Sequence, residues 1–161
     1  MAGVAARRGK ELMSANLMRS VVADFEQSDL RPLLEALHPE VIWKSAASEP
    51  GPLLRFGGTH AGRTGVTKVL ATIAADYRFR RFRPVEMVES GEIVWGIFDA
   101  VIEYLPTVRE RRHAKAIAFQ CAIRWRIRNG KILEHQAFFD TAAVQRAAAD
   151  FFAANTPQTS C

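Results

Sequence analysis

The chain has 161 residues, enough for one domain that buries about 68–70% of the surface its unfolded form exposes, and its 48% hydrophobic and 24% charged residues are ordinary globular values. No apolar run approaches the ~18–20 residues that cross a bilayer, so a soluble protein with no membrane partner is expected. The net charge of +5 invites a nucleic-acid reading, but Arg7, Arg8 and Lys10 against Glu11 place +2 of it in one N-terminal arm, and the arginines of RFRRFR (78–83) and RWRIR (124–128) sit beside apolar residues as on a solvated sheet face, so no nucleic-acid partner is expected.

Residues 1–12 are rich in Ala, Gly and Arg without periodicity and read as a disordered arm, with Met13-Ser14 opening the compact part. The basic residues of the arm are not followed by the apolar stretch of ~7–15 residues that a secretory leader needs, so the expected location is the cytoplasm. Leu17, Met18, Val21, Val22 and Phe25 repeat at helical spacing. Ser28 or Asp29 caps a second helix, whose buried stripe is Leu30, Leu33, Leu34 and Leu37. His38-Pro39 ends it, because a residue before proline is pushed out of the α region, and Val41, Ile42 and Trp43 start a strand. Residues 46–61, with EPGP and GG, form a loop. GRTGVTKVLATIAADY (62–77) gives a third helix with Thr64 as N-cap and Val66, Val69, Leu70 and Ile73 as its inner face.

From Arg78 onward the chain is strand-like. Ser90-Gly91 and Asn129-Gly130 are tight-turn pairs and Leu105-Pro106-Thr107 breaks a third connection, which leaves an antiparallel meander of four strands. DTAAVQRAAADFFAA (140–154) is a closing helix with Asp140 as N-cap, and residues 155–161 form a polar tail. One domain over 13–154 follows, with helices set against one face of a mostly antiparallel sheet, an α+β arrangement.

In EQSDLRPLLEALHPEVIWKS (26–45), GRTGV (62–66) and RIRNGKILEHQAFFDTAAV (126–144), the chain resembles the SnoaL-like branch of the nuclear transport factor 2-like superfamily, which includes ketosteroid isomerases, limonene epoxide hydrolases and polyketide cyclases. The resemblance covers about Leu17 to Ala149. It implies a cone-shaped fold in which a curved sheet wraps around helices and an internal apolar pocket, with no cofactor.

Strand parity then selects pocket residues: Ile93, Trp95, Ile97, Asp99 and Val101 on the middle strand, Trp43 and Ser45 on the first, and Leu133, His135, Ala137 and Phe139 on the last. The epoxide hydrolases carry an Arg-x-Asp pair and a second Asp; here Ile97 and Ala137 stand at two of those positions. The isomerase set meets Ser45, Val21 and the apolar stretch from Cys121 to Ile123. Neither catalytic set is complete. Asp99, flanked by Ile97 and Val101, is expected either to act as a general acid or base with His135, or to form a buried structural pair with it. Trp43, Trp95 and Phe139 would form an aromatic wall, with Ser45, Ile97 and Val101 completing the ligand contacts.

GGTHAGRT (57–64) imitates a phosphate loop, but the βαβ context is absent. His38, His60 and His113 are scattered and Cys121 and Cys161 have no ligand spacing, so no metal is expected. On the strand HAKAIAFQCAIRWRIR, Ile117, Phe119, Cys121, Ile123 and Trp125 form a heavy face, while Ala114, Ala116, Ala118, Gln120 and Ala122 form a face of small residues suited to a two-fold homodimer. Two readings therefore stand: a cofactor-independent isomerase, cyclase or hydrolase acting on a small apolar or ring-containing metabolite, or a non-catalytic binding or dimeric scaffold module of the same fold.

Overall fold

The computed structural model describes residues 14–25, 27, 29–105 and 116–155. The expected arm over 1–12, Ser28, the break at Pro106-Thr107, His113, Ala114 and residues 156–161 lie outside them.

Residues 14–25 form helix α1, with Met18, Val21 and Val22 buried as helical spacing requires. Helix α2 (Arg31–Ala36) has Leu30 at its cap position and no side-chain cap, so Asp29 is not its N-cap; instead Asp29 Oδ1 accepts the Arg31 backbone N–H at 3.0 Å, and the Arg31 guanidinium holds the same carboxylate. That pairing keeps the Asp29 carboxyl at a pKa of about 2. Helix α2 is short because Leu37 is already extended and opens strand β1 (Leu37–Lys44), so His38 and Pro39 sit within the strand instead of at the helix end.

The last residues of the expected loop form strand β2 (Thr59–Ala61), which pairs antiparallel with β1 through Trp43 and His60. Three residues are too few to show a period of two. Gly62, at φ +71°, then turns the chain directly into helix α3 (Gly62–Asp76). Ala61 holds the cap position and no side chain caps the first turn, so Thr64 lies inside the helix and is not its N-cap. Val66, Val69 and Leu70 are buried, as their spacing implies.

Strands β3 (Tyr77–Ser90), β4 (Ile93–Tyr104), β5 (Ala116–Arg128) and β6 (Lys131–Phe139) make the antiparallel meander. Asn129 at φ +52° and Gly130 at φ +71° give the β5–β6 hairpin the left-handed backbone that a two-residue turn needs. The sheet order is β2-β1-β6-β5-β4-β3, with β1 parallel to β6. Proline at position 84 is tolerated because β3 is an edge strand. Helix α4 (Thr141–Asn155) closes the chain, and Asp140 caps it by accepting the Ala143 N–H at 2.8 Å. The helix runs through Asn155, where the tail was expected to begin.

The described residues thus form an α+β fold of four helices and six strands. The core lies on one face of the sheet. There Phe25, Phe79, Phe82, Phe98 and Trp125 interlock, with Phe82 and Phe98 stacked at 4.8 Å and the other contacts edge to face. No helix among the described residues is long and apolar enough to cross a membrane.

Candidate functional site

Between the core face of the sheet and the helices lies a cavity of about 130 Å³. Met18, Val21, Val22 and Phe25 of α1 close one side, and the inward rows of β5 and β6 form the floor. Leu54 and Phe56, on the connection between β1 and β2, reach over it. Three contacts hold that connection in place. Ser45 Oγ donates to the Phe56 carbonyl at 2.6 Å, the Tyr77 hydroxyl donates to the Leu53 carbonyl, and Arg55 Nε donates to Asp76 Oδ2 at 2.8 Å. Burial raises the Tyr77 pKa, so its hydroxyl stays protonated as the donor that this contact needs.

Trp43, Ser45, His135 and Phe139 line the cavity, as does Ala137. They are brought together by register. Trp43 on β1 and Trp125 on β5 are both paired with His135 on β6, so the imidazole occupies the middle of a three-strand rung. Its ring lies flat on the Trp43 indole, with centroids 3.4 Å apart and planes 9° apart, and the Trp125 ring is 6.1 Å away. His135 is 5% exposed, and its Nδ1 is buried with no hydrogen-bond partner. Burial drives its pKa down to about 3, so the ring is neutral at physiological pH.

Asp99, Trp95, Ile97 and Val101 do not enter the cavity, which corrects the parity expected for β4. In the antiparallel register Phe98 pairs with Cys121 and Asp99 with Gln120. Because Cys121, Ile123 and Trp125 face inward, Phe98 goes inward with them and Asp99 goes outward. A shift of one residue carries a whole row to the opposite face. Asp99 Oδ1 accepts a hydrogen bond from Gln120 Nε2 at 2.9 Å on the outer face, so it forms no pair with His135. Trp95 and Ile97 are 42% and 40% exposed, and Trp95 stacks on Phe138 there.

Sequence reasoning missed much of the wall, including Phe79, Phe82 and, on β4, Ile102. A signal for the last was available: the charge-free row Val94, Gly96, Phe98, Ala100, Ile102 and Tyr104 is the better core face of β4, since the other row carries Asp99 and Glu103. Gly96 belongs to that inner row because a Cβ there would meet the Phe98 ring at 2.5 Å. Burial pushes the Cys121 thiol up to about 12, which leaves it protonated and unreactive. Among the described residues no group of three or more His, Cys, Asp or Glu side chains converges on a metal site. None of the described residues lining the cavity is Asp, Glu, Lys or Arg.

The family model described as "SnoaL-like domain" matches residues 18–135. No curated protein matches the chain. Among solved structures, a candidate isomerase from Rhodopseudomonas palustris is 16% identical with a TM-score of 0.68, covering 87% of this chain and 96% of that one. An NTF2-like protein from Burkholderia thailandensis E264 is 20% identical with a TM-score of 0.68, covering 84% and 96% respectively. A candidate polyketide cyclase from Pseudomonas putida KT2440 is 17% identical with a TM-score of 0.63, covering 81% and 93%. At these identities the likeness is one of fold.

Proposed function

The chain belongs to the SnoaL-like domain family, and on that premise we propose that it binds a small, neutral, ring-sized apolar molecule in its internal cavity. The observation that carries this reading is a volume of about 130 Å³ lined by side chains that present almost only carbon. For scale, an engineered apolar cavity of about 150 Å³ accepts benzene. The isomerase, cyclase and hydrolase chemistry expected from the sequence requires an acid or base that can exchange a proton near neutrality. Asp99 lies outside the cavity and His135 is held neutral by burial, which favours binding without acid–base catalysis. The fold shared with the isomerase and cyclase candidates does not by itself carry their reactions.

The test is a titration with toluene, read by fluorescence of the wall tryptophans in a Trp95→Phe background. Saturable binding is expected, and Ala137→Phe, which fills the cavity, should abolish it while the folded circular-dichroism spectrum persists. Absence of saturable binding by toluene, benzene and phenol would sink the proposal.

A second reading concerns the opposite face of the sheet: we propose that two copies pair through it. Trp95, Ile97 and Phe138 are exposed there beside Ala118 and Ala122 of β5, an apolar centre. The polar groups around it are hydrogen-bonded within the chain, Asp99 accepting from Gln120 and Glu134 from Arg124 at 3.0 Å, so the apolar centre can be covered without breaking them. Sedimentation velocity should give a dimer that Ile97→Glu converts to one chain. A wild-type mass of one chain at tens of micromolar would remove this reading.

A further inference from the structure

Resting on the cavity reading above, we infer that the ligand carries one hydroxyl on its ring and that His135 is the residue that selects for it. Ser45, Tyr77 and His135 are among the polar side chains of the wall. Ser45 Oγ and the Tyr77 hydroxyl already donate to backbone carbonyls, so each proton is committed within the protein. His135 Nδ1 has no partner at all. A buried polar atom left without a partner costs stability, and an apolar residue in the same rung would avoid that cost, so the atom calls for an explanation beyond packing.

The setting of the ring supplies one. The stack on Trp43 covers one face of the imidazole and fixes its plane, so polar contact has to come at its edge. A half-turn about Cβ–Cγ exchanges Nδ1 with the opposite ring edge within that same plane, and the stack is kept. The ring can therefore present nitrogen to a ligand without leaving the rung between Trp43 and Trp125.

The chemistry of the group follows from the imidazole. In its neutral form one ring nitrogen donates and the other accepts. A hydroxyl can do either, so it pairs with whichever tautomer is present. A carboxylate fits poorly, because none of the described residues lining the cavity carries a positive charge. The ligand class is thus a neutral monohydroxy ring of about the size of phenol, with the ring carbons against the aliphatic and aromatic wall and the hydroxyl at His135.

Phenol, toluene and benzoate are near-isosteric probes of this arrangement. Calorimetric titrations on the wild-type protein and on His135→Phe, with His135→Leu as a second variant, should show that toluene binds all three. The preference for phenol over toluene should fall about tenfold in both variants, the loss expected for one buried hydrogen bond. In the wild-type protein the imidazole ¹⁵N resonances should move on addition of phenol and stay in place with toluene, a readout that does not depend on either variant folding. If toluene binds but the phenol preference is the same with and without the imidazole, or phenol leaves the ¹⁵N resonances unmoved, His135 is not the selecting residue, although the cavity reading survives. If benzoate binds more tightly than phenol, the neutral-ligand assignment is wrong. If none of the probes binds, the cavity reading falls and this inference with it.

Discussion

The two faces of strand β4 are built from the same short stretch and have opposite fates. Phe98 is fully buried, stacked on Phe82 and set edge-on to Trp125 at 5.8 Å, while its neighbour Asp99 sits on the outer face against Gln120. Gly96 makes room for the Phe98 ring, while Trp95 beside it is 42% exposed. The inner face is a three-dimensional packing problem in which each ring constrains the next. The outer face is a surface on which apolar residues such as Trp95 and Ile97 stay exposed. Apolar character alone therefore does not identify a pocket residue, since β4 carries aromatic side chains on both sides.

The widest gap between the faces should appear on truncating adjacent residues. Phe98→Ala leaves a hole among Phe82, Trp125 and Gly96 and should cost about 3–5 kcal/mol in urea unfolding. Asp99→Ala removes one hydrogen bond at the surface and should cost no more than about 1 kcal/mol. Equal losses would mean that Asp99 has a structural role on the outer face beyond its bond to Gln120.

A smaller contrast, specific to the inner face, comes from His135. Its folded pKa of about 3 lies below the ordinary 6.5, so between these values the unfolded chain binds more protons than the folded one. Its contribution is fully present above pH 6.5 and is lost as the pH falls toward 3, with a slope of at most about 1.4 kcal/mol per pH unit. His135→Phe should remove that slope. At pH 7 the variant should be at least as stable as the wild type, gaining up to about 1 kcal/mol, because the orphaned Nδ1 is gone while an aromatic ring remains on Trp43. Thermal melts from pH 7.5 to 4 on both proteins provide the check; an unchanged slope would place the titration elsewhere.

The smallest effects belong to the helix ends, where neither face of the sheet is touched. Asp140→Ala removes the bond from the Ala143 N–H and should cost about 1 kcal/mol. Thr64→Ala should change stability by less than about 0.5 kcal/mol, because Thr64 caps nothing. A loss at Thr64 matching that at Asp140 would show that helix α3 starts later than Gly62.

Much of the fold was legible in the chain because its signals are local. Asn129-Gly130 specifies a two-residue turn through the φ values those residues tolerate, and Asp140 caps helix α4 through an oxygen three residues from the N–H it accepts. The buried stripes of α1 and α3 follow from a 3.6-residue period that needs no partner to be read. The same local logic went astray at Thr64, where Gly62 lets the helix start three residues earlier, with Ala61 at the cap position. It also missed β2, whose three residues become a strand only by pairing with β1.

The candidate site divides along the same line. The parity of β1 and β6 placed Trp43, Ser45, His135 and Phe139 on the cavity side, where the structure has them, but not Leu133: a register shift there turns Ile132 inward instead. The parity of β4 did not, because both of its rows are apolar enough to be a core.

What the sequence by itself determined is the order of the longer elements, the Asn129-Gly130 turn, the Asp140 cap and the apolar faces of α1 and α3, each set by interactions within a few residues. Only the tertiary structure decided which row of β4 is buried and that β1 runs parallel to β6 with Trp43 against His135. Those are matters of register between segments more than ninety residues apart, as Trp43 and His135 are, and register is set when strands pair and bury a common face, a choice that no single strand contains.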